Sequence, residues 1–309
     1  MSNIYIYSPS GAVRDKAGFL RGVAHLKGMG HSVEIDPDAL NSHLRFAGDD
    51  ATRLSAISRA AASGADINMM SRGGYGLTRL LPKLPYKAIL KSMRQGTQWM
   101  GHSDFTSMQM AVLSQIDAMT WAGPHLIFDF GPPKVDDIMQ ACFEDVTLGQ
   151  SEGLGWRVPA QNLKTLKIKP SGVVAKNATL WGGNLAVFAS LVGTPYLPKV
   201  ENGVLFFEDV GEHPYKIERL LTQLLNAGIL VKQKAIVLGS FTDYTLNDHD
   251  KGFDLYNVVQ FLQSHLKIPV VTGFPMGHVS TKVCLPVGAK VNFHIDGNEA
   301  FLMWGAIGH

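Results

Sequence analysis

Cysteine is nearly absent from this chain of 309 residues: there are two, Cys142 and Cys284, far apart in sequence. That is too few for a disulfide framework and suits a reducing compartment. Long hydrophobic runs are missing as well; no window approaches the ~18 uninterrupted apolar residues that a membrane helix needs. The opening residues, MSNIYIYSPSG, lack a basic segment followed by a long apolar one. No secretory signal and no membrane partner are therefore expected, and a cytoplasmic location is. Charge is sparse, at 17% Asp, Glu, Lys and Arg, and nearly balanced, with a formal net charge of +2. No Lys/Arg run is dense enough to track a phosphate backbone, which argues against nucleic acid as a main partner. The acidic NDHD at 247–250 has no HExxH or CxxC beside it and reads as a solvated loop, so no metal is expected. RGGYG at 72–76 has neither GxGxxG nor Walker spacing, which argues against a dinucleotide site.

What is present suits a globular protein with a sizeable core: 46% of residues are hydrophobic, and the length exceeds a typical single domain. Residues 3–7, 31–35 and 67–70 read as strands, and 14–29 and 50–63 as helices, with Phe19, Leu20, Val23 and Leu26 on one stripe. This alternation predicts an α/β layer built on a largely parallel sheet. Between 148 and 170 the pattern weakens into a polar stretch rich in Gly and Pro, taken as an interdomain connection. Further on, 172–180, 203–207, 235–238 and 269–272 read as strands, and 213–227 and 254–264 as helices. The tail from Lys282 onward alternates like antiparallel strands. The expectation is two α/β domains, 1–166 and 167–309, the second ending in antiparallel strands.

Six residues, GHSDFT at 101–106, carry the strongest local signal, lying between the apolar run Gln98-Trp99-Met100 and a helical run from Phe105 to Gln115. A serine at a strand-to-helix crossing sits on a sharp turn with its hydroxyl exposed, the geometry of a nucleophile elbow. A neutral hydroxyl attacks only if a base takes its proton, and a carboxylate on the far ring nitrogen of a histidine base fixes the tautomer. Glu208, after the apolar run GVLFF, and His278, in the loop GFPMGH, could supply those roles. The plainer readings are helix caps for Ser103 and for Glu208 or its neighbour Asp209, and a surface or core histidine for His278. His102 adjoins the serine and points elsewhere at a turn, so it receives no role, and Cys284 reads as an inert core thiol.

Six blocks taken together are similar to the LD-carboxypeptidase family: SRGGYGLTRLLPKLPY, GHSDFT, LWGGNLAVFASLVGTPYLPK, NGVLFFEDVGEHPYKIERLL, AIVLGSF and GHVSTKVCLPVGA, in that order along the whole chain. The resemblance implies a serine peptidase that removes the terminal D-alanine from murein tetrapeptides during peptidoglycan recycling. It assigns Ser103 as nucleophile, Glu208 as orienting acid and His278 as base, with the nucleophile on the first domain and the other two on the second, in a cleft. It also implies a homodimer and no cofactor. For the oxyanion, the amide of Asp104 and that of Gly73 or, preferably, Gly74 are candidates, since glycine lets backbone approach closely. Arg72 and the amides around 104–106 are candidates for the peptide's terminal carboxylate. Trp181 and Asn184 precede a helix and are candidate lining residues, although Asn184 also reads as that helix's cap. Two rival readings are a family member that cleaves peptidyl-nucleotide antibiotics and a non-catalytic two-domain binder.

Overall fold

A computed structural model of the chain describes residues 1–166 and 171–307. They fall into two units: Met1–Ser151 with Ser280–Val287, and Glu152–Val279 with Gly288–Ile307. The boundary expected at 166/167 abuts 167–170, which lie outside the described residues.

The first unit is an α/β layer. Its elements are β1 (Asn3–Tyr7), α1 (Lys16–Gly28), β2 (Ser32–Ile35), α2 (Asp50–Ala62), β3 (Ile67–Met70), α3 (Tyr86–Arg94), β4 (Gln98–Gly101), α4 (Phe105–Ile116), β5 (Thr120–Ala122) and α5 (Asp137–Thr147). β1 to β5 pair in parallel; β1, β3, β4 and β5 are largely continuous buried runs such as Ile67–Met70, as a sheet covered on both faces requires, whereas the edge strand β2 is mostly exposed. Asp15, Asp49 and Asp136 start α1, α2 and α5 by accepting hydrogen bonds from first-turn amides. On α1, Phe19, Val23 and Leu26 are buried, whereas Leu20, expected on the same stripe, is 61% exposed, since it lies one residue off the i, i+4, i+7 row. The segment between β3 and α3 forms two 3₁₀ turns, Leu77–Arg79 and Leu81–Lys83, with Pro82 in the second. The strand order places β3 and β2 on opposite sides of β1, so the chain reverses direction across the sheet between β1 and β3. The loops after β1, β3 and β4 therefore gather at the carboxyl ends of strands beside a topological switch point, where α/β sheets bind ligands.

The second unit holds β6 (Gly153–Arg157), α6 (Ala160–Leu163), β7 (Ser171–Asn184), α7 (Leu185–Ser190), β8 (Val204–Val210), α8 (Pro214–Asn226), β9 (Ala235–Thr242), α9 (Leu255–His265) and β10 (Val270–Val271). Its sheet has seven strands, ordered β10-β9-β8-β7, then β12 (Lys290–Asp296), β13 (Glu299–Met303) and β6. β10, β9, β8 and β7 run parallel; β12, β13 and β6 continue the sheet antiparallel. The stretch expected to be a plain connection thus contributes β6, paired with β13, which places 152–166 with the second unit. The remaining strand, β11 (Leu285–Val287), returns to the first unit and pairs antiparallel with β5.

Candidate active site

β4 stops at Gly101 and α4 begins at Phe105, so the chain turns within three residues. Ser103 takes φ +64°, the left-handed region, which for a residue with a Cβ costs about 1–3 kcal/mol and persists where surrounding structure enforces it. Two packing contacts do so. A Cβ on Gly101 would meet Met70 Sδ at 2.4 Å, so β4 ends tight against β3. A Cβ on Gly73 would meet Ser103 Cβ and Oγ at 2.8 Å, so only glycine lets the loop after β3 lie on the serine. The residue at the helix N-cap position is Asp104, not Ser103, and its side chain makes no cap bond.

Asp104 turns inward instead. Its Oδ2 accepts from Ser10 Oγ at 2.7 Å and from the Leu77 amide at 2.9 Å, tying the elbow to the loops after β1 and β3. Burial pushes its carboxyl up to about 6, against the lowering pull of those hydrogen bonds and of the Arg53 guanidinium. The same loops are joined directly by Gly11 N–H to Gly73 O (3.2 Å) and by Arg72 Nη1 to Ala12 O (3.0 Å). Gly74, at φ +110°, follows at the exposed tip.

In the second unit Glu208 lies near the end of β8, 1% exposed, and His278 Nδ1 donates to its Oε2 at 2.7 Å. A carboxylate only accepts, so this bond sets the tautomer and leaves Nε2 as the basic nitrogen. The loop carrying His278 is seated on β9. Phe207 pairs with Leu238 but Asp209 with Phe241, so β9 bulges by one residue at Gly239-Ser240. Ser240 N–H donates to Met276 O at 2.8 Å, and a Cβ on Gly239 would sit 2.2 Å from that oxygen. Asp209 faces the other way, as strand alternation requires, and accepts from Ala186 N and Asn184 Nδ2 at the start of α7. Its burial pushes its carboxyl to about 6. Asn184 Oδ1 accepts from Val187 N, which makes it the cap of α7. Trp181, a candidate lining residue, is 1% exposed; its indole N–H donates to Gln233 Oε1 at 3.1 Å and its ring packs edge-on against Phe188.

Comparison with known proteins bears on what these groups do. Residues 4–123 match the LD-carboxypeptidase N-terminal domain and 177–293 the LD-carboxypeptidase C-terminal domain. The chain belongs to the LD-carboxypeptidase family. It is a serine-type carboxypeptidase, a hydrolase. The crystal structure of muramoyltetrapeptide carboxypeptidase from Oxalobacter formigenes shares 37% identity, covers 98% of each chain and superposes with a TM-score of 0.86. A probable murein peptide carboxypeptidase of Bacillus subtilis is 27% identical over 91% of this chain and 85% of its own length. The microcin C7 self-immunity protein MccF of Escherichia coli is 28% identical over 75% of this chain and 72% of its own.

One buried group beside the elbow went unread in the sequence of this family member. His102 stacks on His125 with ring centroids 4.4 Å apart, and its Nδ1 lies 2.9 Å from Gly123 O. Asp129 accepts from the His125 amide at 2.8 Å and is hydrogen-bonded to Lys282 Nζ, both side chains fully buried. Ligand atoms of His102, His125 and Asp129 lie within 4.8 Å of one another, the spacing of a metal site, but the Lys282 ammonium already stands against the carboxylate where a cation would go. Among the described residues, no helix is long and apolar enough to cross a membrane.

Proposed function

We propose that the protein hydrolyses the bond between the L-centre of the third-residue diamino acid and the terminal D-alanine of murein tetrapeptides, through an acyl-enzyme on Ser103. Peptidoglycan recycling in the cytoplasm and assembly as a homodimer belong to the same reading. The observation that carries it is the 2.7 Å bond from His278 to the buried Glu208, a base already oriented by its acid. The left-handed Ser103 and the murein-peptide relatives support it.

In this scheme His278 Nε2 takes the Ser103 proton as Oγ attacks the scissile carbonyl, and Glu208 stabilises the imidazolium that forms. The amides of Asp104 and Gly74 serve as donors to the oxyanion. The planar peptide supports the choice of Gly74: Gly73 O is held by Gly11 N, so the N–H of the same peptide points away from Gly11. Collapse of the tetrahedral species breaks the amide bond, and the imidazolium returns its proton to the departing D-alanine amine. Water, deprotonated by His278, then attacks the ester, releases the tripeptide and restores Ser103.

The test is release of D-alanine from free murein tetrapeptide with and without a chelator, alongside Ser103→Ala. Release that survives chelation and falls by about 10³-fold or more in the variant supports the reading. No release from the unaltered protein, with turnover of an aminoacyl-sulfamoyl nucleotide instead, would replace it with the peptidyl-nucleotide reaction; neither turnover leaves the binder.

A further inference from the structure

Three arginines on the loops beside the elbow meet no carboxylate among the described residues. Arg14 follows the loop after β1, Arg45 lies on the segment 43–46 and Arg72 on the loop after β3. Backbone contacts hold the three segments together: Ala12 N–H donates to Arg45 O (3.0 Å), Ala47 N–H to Ser10 O (3.1 Å) and Gly11 N–H to Gly73 O (3.2 Å). Arg72 reaches across them to the Ala12 carbonyl. Nearby, by contrast, Arg53 and Arg79 share Asp50. Among the described residues no acid is paired with Arg14, Arg45 or Arg72. Arg72 is half-buried, and its pKa is lowered first by that burial and then by the positive charges of Arg14 and Arg45. Like charges gathered on a partly desolvated guanidinium oppose one another in the free protein, and an anion bound among them relieves that opposition.

We propose that Arg14, Arg45 and Arg72 form one anion subsite that takes the terminal carboxylate of the peptide, the group that makes the enzyme a carboxypeptidase. The inference rests on the reading of Ser103 as nucleophile. Position favours this ligand. Gly73, the residue after Arg72, lies against Ser103 Oγ, and the terminal carboxylate is one residue, about 3.6 Å of extended chain, beyond the attacked carbonyl. The guanidinium of Arg72 lies beside Gly11 and Gly74, where Cβ atoms would stand 3.6 and 3.7 Å from it, in ordinary contact. Arg45 stands over the exposed Tyr75 ring at 5.8 Å, which restrains a side chain that would otherwise sweep through solvent. A forked guanidinium matches a carboxylate in geometry and charge.

Calorimetric binding to the Ser103→Ala protein reads the subsite without turnover, using free murein tetrapeptide and the same peptide as its C-terminal carboxamide. The carboxylate form is expected to bind at least about tenfold tighter, and Arg45→Gln or Arg72→Gln to reduce that ratio to about one. Arg45 is exposed, so its variant keeps the fold even if the Arg72 variant does not; circular dichroism checks both. A ratio that survives Arg45→Gln overturns the proposal. A second arm measures Tm in sulfate against chloride at equal ionic strength. Sulfate stabilisation that disappears in Arg45→Gln supports the subsite even where the tetrapeptide neither binds nor releases D-alanine, an outcome that would sink the reaction and not the anion site. A tetrapeptide that does not bind, together with no sulfate response, overturns the subsite.

Discussion

Asp104 joins three loops through one oxygen, and it does so while buried with a carboxyl that holds its proton up to about 6. The native state therefore keeps that proton over a range, from the ordinary carboxyl value of 3.8 upward, in which the unfolded chain has released it. Asp104 thus favours folding most at pH below the unfolded value, and its contribution falls as pH rises through about 6. The shift, 6 minus 3.8, corresponds to about 3 kcal/mol. Asp104→Asn keeps an oxygen with two lone pairs for Ser10 and Leu77 and removes the titration. Urea unfolding at a series of pH values should find the variant gaining on the unaltered protein by most of that amount, about 2.4 kcal/mol, between pH ~4 and ~7. A difference that stays constant with pH would mean that Asp104 titrates as an ordinary carboxyl. Asp209, raised for the same reason, is intact in both proteins and cancels.

At the scale of elements, the long and strongly patterned pieces were legible: α8 buries Ile217, Leu221 and Leu224 as its spacing demands, and β1 and β3 are the apolar runs they look like. What escaped is short or half-exposed. β5 is three residues long, and β6, the strand GLGWR, buries only Trp156, so neither offers a periodic signal. GHSDFT marked the elbow, but Ser10, Gly11 and Leu77, which hold it, are distant in sequence and plain in type. The bulge in β9 is of the same kind, visible only once Met276 is seen against Gly239. Its consequence is testable. Gly239→Ala would drive a Cβ to 2.2 Å from the Met276 carbonyl, a backbone atom that cannot step aside as a side-chain tip can. The loop carrying His278 must move, and misplacement by about 1 Å costs on the order of 10²-fold in rate. Gly28→Ala, at a position with open space, is the control and should leave kcat and Tm nearly unchanged. Equal kinetics in the two variants would show that the bulge does not set the position of His278.

Across the whole molecule, the chain crosses between its two units more than once: after Ser151, after Val279 and after Val287. The middle excursion is eight residues, Ser280–Val287, and it begins two positions after His278. Within the first unit β11 covers the otherwise open edge of β5, Thr281 Oγ1 donates to Asp136, the cap of α5, and Lys282 pairs with Asp129 in full burial. Two charges taken out of water gain little net stability as a pair, but removing one leaves the other uncompensated, at a cost of about 3–5 kcal/mol. Lys282→Met should therefore destabilise by about that amount, whereas Asp129→Asn with Lys282→Met removes the stranded charge, keeps an acceptor for the His125 amide and should recover part of it. Equilibrium urea unfolding of the single and double variants measures the coupling. If the excursion also fixes the loop of His278, the single variant should lose rate under conditions where it is still fully folded, and the double variant, which keeps β11 but not the ion pair, should regain it. A double variant that is stable yet slow would instead assign Lys282 and Asp129 a part in the chemistry of the elbow, through His102 and His125.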